Sequence, residues 1–381
     1  MTGSGTLLDP YVIWDVNDLQ DMNLDLTAYY ELGQDIDASA TVGWNAGLGF
    51  VPIAPVFIGN FDGKGHTITN LFINRPAESR IGLFGTILNA TIVNVGLVDC
   101  DITGRDNTGG LLGSADGGGT ILNCYTTGQV TGRLRVGGLI GEASDIPANT
   151  ITRCYSMASV TGSRGEVGGL VGLADETVIS ACYATGNITA LPGADWDFGG
   201  LVGNNYGTIE RSYATGAISA PDSDYIGGLV GETFNSITDC YARGNVNGRT
   251  NVGGLVGQNG AGGAIDNCYS TGAVAGTFRV GGLVGYQAVG ATTPTDSFWD
   301  TETSGTLISD GGTGKTTTEM KMASTFISTG WGFGTIWGMT GACNDGYACL
   351  LDVTSSCAYT LWKGNINIDQ LIYQHAERMR V

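Results

Sequence analysis

Four aspartate pairs at i, i+2 spacing are the residues best placed to do chemistry: Asp35/Asp37, Asp99/Asp101, Asp195/Asp197 and Asp222/Asp224. Side chains two apart on a strand share a face. Each pair therefore has the geometry to hold calcium or to divide the acid and base roles of glycoside hydrolysis. The pairs fall at different places in the internal repeat, however, and no G-G-x-G-x-D series accompanies them. They read as solvated loop charge, and a polysaccharide-degrading enzyme would need groups from neighbouring repeats to converge.

Cys124, Cys154, Cys182, Cys240 and Cys268 recur once per repeat, and Ser212 takes the same place in the remaining unit. Tetrahedral metal sites draw on C-x2–4-C pairs, which are absent here, so the recurring thiols read as small buried side chains and no metal is expected. Cys343, Cys349 and Cys357 have spacings that allow one bridge among them. Tyr125, Tyr155, Tyr183, Tyr213, Tyr241 and Tyr269 directly follow the recurring Cys/Ser position. Neighbours on a strand face opposite ways. If the thiols face in, six tyrosines form an outward strip able to stack sugars or pack against a protein; the reverse arrangement stays open. The run "SDGGTGKTT" (309–317) resembles a phosphate loop, but Ser309 stands where the motif needs glycine. It reads as a plain loop. No cofactor is implied.

The elements that position these residues follow from composition and period. Glycine supplies 64 of 381 residues, and the net charge is −19. Residues 65–314 contain no lysine, so the basic stripe needed for nucleic acid or anionic membrane surfaces is missing. No apolar run is long enough to span a bilayer, and membrane insertion is not expected. The start, "MTGSGTLLDP", lacks the pattern of a secretory signal.

"IGLFG" (81–85), "GGLLG" (109–113) and "GGLIG" (137–141) are followed by "GGLVG" starting at 168, 199, 227, 253 and 281. A period near 28 residues means a solenoid, propeller or array. Apolar pieces three to five residues long, separated by glycine and small polar residues, suit strands and are too broken for helices. The fold expected is all-β: a right-handed parallel β-helix with three short strands per coil, its eight glycine-block coils extending ~38 Å. A propeller would want longer blades. Glycine in the block serves either positive φ at corners or close backbone approach.

At this point the repeat resembles the GLUG motif of large bacterial surface and adhesin-like proteins. The resemblance covers residues 81–295, and "FIGNFDGKGHTITNLFI" (57–73), "SFWDTETSG" (297–305) and "GWGFGTIWGM" (330–339) are similar to the usual flanks. It implies a scaffold rather than an activity. Some family members are joined to zinc proteases that cleave immunoglobulin A; this chain has only His66 and His375 and no H-E-x-x-H, so that activity does not carry over.

Four regions are expected: an N-terminal cap and first coils (1–80), the repeats (81–295), a C-terminal capping module (296–352) and a tail (353–381). Asn17 is the expected N-cap of a short helix over 15–22, with 29–36 as the first strand. Trp331, Phe333 and Trp337 are expected to close the core. Ile368, Leu371, Ile372 and Met379 line one face of a helix over 367–379 suited to docking on the open end or on a partner. The function expected is a non-enzymatic, surface-displayed structural or adhesive solenoid. A phage virion component (capsid decoration, tail fibre or spike) is preferred, with a secreted adhesin fragment and a polysaccharide-degrading β-helix enzyme as alternatives. Partners would be other structural proteins of a particle or cell surface, further copies of the chain, or a glycan.

Overall fold

The computed structural model describes residues 1–339, 344–351 and 353. Each repeat forms one coil of a parallel β-solenoid. In the coil over 236–259 the strands are Ser236–Thr238, Tyr241–Ala242, Val246–Asn247, Thr250–Gly253 and Val256–Asn259. All five pair in parallel with their counterparts one coil on: Ile237 with Ile265, Tyr241 with Tyr269, Val246 with Val274, Val252 with Val280, and Val256 with Val284. Register therefore follows the repeat, and each repeat position becomes a column along the axis. The isoleucine strands belong to a ten-stranded sheet and the glycine-block strands to one of eight, one strand per block.

The coil has five strands, not the three expected. The run between the Val-Gly segment and the glycine block, which reads as a loop, folds out and back. Its two arms face each other through Val130/Val136, Val160/Val167, Ile188/Phe198, Ile218/Ile226 and Val246/Val252, a second buried column beside the main core. The main core holds the isoleucines, the block's Leu-Val pairs and the cysteines.

Glycine in the block acts by close approach, not by positive φ. A Cβ on Gly227 would lie 1.9 Å from the carbonyl oxygen of Val230, and one on Gly257 would lie 2.5 Å from the backbone nitrogen of Ile226. The eight-stranded sheet thus rests directly on the backbone of the neighbouring sheet. The left-handed corners are made by other residues. One series precedes the Cys/Ser column: Asn123, Arg153, Ala181, Arg211, Asp239 and Asn267, with φ between 46° and 54°. The second precedes the block: Arg135, Glu166, Asp197, Tyr225, Asn251 and Arg279, with φ between 53° and 59°. Asn and Asp tolerate this region best.

Both ends are closed. At the start, Tyr11–Ile13 is the first rung and pairs with Tyr29–Leu32. The helix Val16–Asp21 sets Leu19 and Met22 over the core. Its N-cap is Asp15 rather than Asn17, because the Asp15 carboxylate accepts the backbone N–H groups of Asn17 and Asp18. At the far end the closing residue is Trp299, which takes the inward position of Ser270 one coil on and packs over Gly282. Strand Thr313–Lys315 then pairs with Phe298–Asp300. Ser309 and Asp310 accept the edge N–H groups of Val284 and Gln287, both at 2.9 and 2.8 Å respectively, so the last exposed strand is blunted by side chains.

The Gly227→Ala variant is expected to lose about 3 kcal/mol or more, because the methyl meets backbone that cannot yield. Arg153→Gly should stay within about 1 kcal/mol of the parent, since relief of left-handed strain offsets the added chain entropy. Urea unfolding of the two variants measures both.

Candidate functional site: a tyrosine ladder and its cover

The alternation along Cys-Tyr-Ala settles which column is inside. The cysteines of the column are fully buried in the core, and the tyrosines project from the opposite face of the sheet. Their rings form a continuous stack. Centroids from Tyr125 through Tyr155, Tyr183, Tyr213 and Tyr241 to Tyr269 are 4.7, 4.7, 5.0, 4.7 and 5.1 Å apart, with interplanar angles of 9° or less. Below the stack, Tyr125 lies over Gly96, where a Cβ would meet its ring. Ring faces in this arrangement are occupied by other rings. What the ladder presents outward is ring edges and hydroxyls, whereas sugar stacking needs faces. Burial pushes the phenols of Tyr155, Tyr183 and Tyr213 well above their ordinary range, with a smaller contribution from neighbouring phenols, so they stay neutral.

The far half of the ladder is covered by the chain itself. Trp331 and Trp337 lie on this flank rather than across the end of the core. Trp337 tilts over Tyr241 and Tyr269, with Phe326, Trp331 and Tyr347 around the Tyr269 ring. The indole N–H of Trp337 donates to Asp239 at 2.9 Å, that of Trp331 to the Asp296 carbonyl at 2.9 Å, and the Tyr347 hydroxyl to Asp300 at 2.8 Å. Arg243 stands two residues after Tyr241, where other coils carry Thr185, Thr215 or Thr271. It donates to Asn344 and Asp345 and lies 5.0 Å from the Tyr347 ring centroid. Its guanidinium holds the Asp345 carboxyl below the usual range.

The thiols are structural. The Cys182 Sγ donates to the Ser180 carbonyl and accepts the Cys154 N–H at 3.4 Å. Ser212 repeats the pattern, donating to Glu210 O at 2.8 Å and accepting the Cys182 N–H at 3.1 Å. The column is thus a relay of small donor–acceptor groups joining coils, and serine performs it as well as cysteine. Burial pushes the Cys100 thiol up to about 12 and those of Cys154 and Cys268 well above the ordinary thiol range. Cys100, Cys124, Cys154, Cys182, Cys240 and Cys268 are free thiols, whereas Cys349 is disulfide-bonded.

Two of the four aspartate pairs, Asp99/Asp101 and Asp195/Asp197, do not keep the alternation expected of a strand, because Asp99 and Asp197 are left-handed corners. Asp35 accepts the Thr67 N–H, Asp37 the Ser39 N–H, Asp195 faces Arg164 at 3.7 Å, and Asp224 takes a two-pronged contact from Arg249. Residues 309–317 serve the end of the solenoid as described and form no phosphate cradle. Ile368, Leu371, Ile372 and Met379 lie outside the described residues.

The burial of one of these aspartates was not anticipated from the sequence. Asp197, 2% exposed, accepts from Asn204 at 2.8 Å, and its other oxygen has no partner. Burial, then the nearby Glu232 and Glu166 carboxyls, raises its pKa well above the ordinary range. It belongs to a polar seam between the two sheets in which Arg135 bridges Glu142 and Glu166 at 2.7 and 2.8 Å. The only sequence signal is the seven-residue offset between partners, shared by Arg135/Glu142, Asp197/Asn204 and Asn251/Gln258. Among the described residues no cluster of His, Cys, Asp or Glu is arranged to hold a metal, and no helix is long and apolar enough to cross a membrane.

The fold and these columns define a repeat solenoid built from one coil type. Residues 163–189, 195–219, 222–247 and 248–275 match the GLUG motif, so the chain carries that motif in four consecutive copies. It is 45% identical over 132 residues to halomucin of Haloquadratum walsbyi, a stretch that is 33% of this chain and 1% of that one. It is 37% identical over 107 residues to a protein of Evansella cellulosilytica that bears the name of a Gly-rich membrane protein, covering 26% of this chain and 12% of that one. The chain thus spans a small part of the curated relatives it matches. A crystal structure from Bacteroides ovatus, assigned as an immunoglobulin A1 protease, superimposes with a TM-score of 0.52 at 23% identity, over 92% of this chain and 94% of that one. That likeness is one of fold.

Cys182→Ser should change stability by less than about 1 kcal/mol, whereas Cys182→Ala leaves the buried Cys154 N–H without an acceptor and should cost about 1–3 kcal/mol. Urea midpoints compare them. For Asp197 the folded chain holds the proton more tightly than the unfolded chain does. Its stabilising contribution is therefore complete below the ordinary carboxylate range and is lost as pH rises through the raised folded value. Asp197→Asn is expected to raise the urea midpoint at pH 8 and to flatten its decline from pH 5 to pH 8.

Proposed function

We propose that this chain is a non-enzymatic structural solenoid displayed on a cell exterior, where it acts as a stiff acidic spacer. The observation that carries this reading is that its candidate reactive columns are engaged in holding coil to coil. The recurring thiols relay hydrogen bonds, the tyrosines stack on one another, and Asp195 and Asp224 pair with arginines of adjacent coils. The names of the relatives support a surface setting, since one is called a membrane protein. The disulfide at Cys349 also fits an oxidising exterior. A virion setting was the one preferred from the sequence. Burial accounts for the unpaired thiols without reference to a compartment, so the cell surface is the carrier argued for here. Occupied ring faces count against a glycan stacked on the ladder and leave protein contact as the better use of that flank.

Two measurements test the proposal. Antibody raised against residues 81–295 should label intact producing cells; labelling that appears only after lysis, or only on purified virions, would move the protein elsewhere. The purified chain should release no reducing ends from neutral or acidic polysaccharides. Release that is abolished by Asp197→Asn or Glu166→Gln would make it an enzyme.

A further inference from the structure

Two carboxyls meet across the polar seam. The left-handed corner of one coil faces the residue just past the glycine block of the next. At Asn107 and Glu142 this contact is a side-chain hydrogen bond across 35 residues. Asp197 and Glu232 stand in the same two columns. Strand register carries Asn107 through Arg135 and Glu166 to Asp197, and Glu142 through Leu173 and Asn204 to Glu232. The approach is as close here, since a Cβ on Gly231, the neighbour of Glu232, would lie 2.9 Å from the Asp197 Cα. Where Asn107 offers a donor, Asp197 offers a second acid.

The seam's arginine does not balance that pair, because Arg135 is engaged by Glu142 and Glu166. Glu232 accepts from Gln258, and Asp197 accepts from Asn204 at 2.8 Å. The second oxygen of Asp197 and the amide oxygen of Asn204 are buried with no donor, on side chains 2% and 5% exposed. Asn204 is the strand neighbour of Glu232, so its amide oxygen and the two carboxyls converge on one place. Buried acceptors without donors are costly, the more so beside a second acid. A donor set made only of oxygen suits a hard cation, which satisfies carboxylates and amide together. Glu232, partly exposed, gives the entry from solvent.

We propose that Asp197, Asn204 and Glu232 form a site for a divalent cation of calcium's class, which ties the coil at 199–205 to the coil at 227–233. Acidic side chains alone do not complete it; the amide oxygen is the third protein ligand, and water fills the remaining positions. The site does not depend on where the protein is displayed.

Calorimetric titration of the chelator-treated full chain with calcium chloride at pH 7.5 tests the site. One calcium per chain is expected to bind saturably. Asp197→Asn and Glu232→Gln should weaken that binding at least tenfold, and Asp222→Asn, which removes an exposed carboxylate, should leave it unchanged. Urea midpoints give a second reading: calcium at about 1 mM, the range of extracellular calcium modules, should raise the parent midpoint and leave those of Asp197→Asn and Glu232→Gln where they were. Equal responses in parent and variants would mean loose binding by an acidic surface and would overturn the proposal. A parent that responds to pH but not to calcium holds only a shared proton between the two acids, which would overturn it as well.

Discussion

The close approach of backbones at the glycine block governs this structure. With Gly227 against the Val230 carbonyl and Gly257 against Ile226, the two sheets touch without intervening side chains. That contact turns each coil back on itself over a short arc, and the same arc recurs in every repeat. Parallel pairing then brings equivalent residues into line, so a property needed once is needed at every level. Isoleucine, cysteine and tyrosine columns follow from this constraint, as do the two left-handed corners per coil.

Column geometry also explains how chemistry-bearing residues come to be structural. A thiol repeated along the axis meets a backbone N–H of the coil before it and a carbonyl of its own coil. A tyrosine repeated along the axis meets another tyrosine. Neither keeps the isolated, differentiated surroundings that catalysis asks of a nucleophile or acid. Departures from the repeat are where specialisation enters: Arg243 in a column of threonines grips the cover, and Trp299 in a column of small residues ends the core.

The cover changes what the molecule shows to its surroundings. Without it the solenoid would expose six stacked aromatic rings on one flank. With Trp331, Trp337 and Tyr347 in place, half of that strip is interior. Polar anchors at Asp239, Asp300 and Arg243 give the cover a defined seat. Burial in the seam raises the Asp197 pKa, an effect of position rather than of composition.

By itself, the sequence determined the coil, its period and its parallel stacking, because glycine, isoleucine and cysteine recur at fixed offsets and period is a one-dimensional property. It also implied the small-residue role of the thiols, since Ser212 stands in their register. Only tertiary structure decided the number of strands per coil. The out-and-back arms meet through single residues such as Val246 and Val252, which look like loop punctuation until they face each other. Likewise, the i, i+2 rule misplaced Asp195 and Asp197 because a left-handed corner inverts the alternation there, and nothing local marks that corner. The tryptophans of 331–337 read as an end cap because their type announces burial but not direction. Where they are buried depends on a ladder assembled from six separate repeats, which exists only once the coils have stacked.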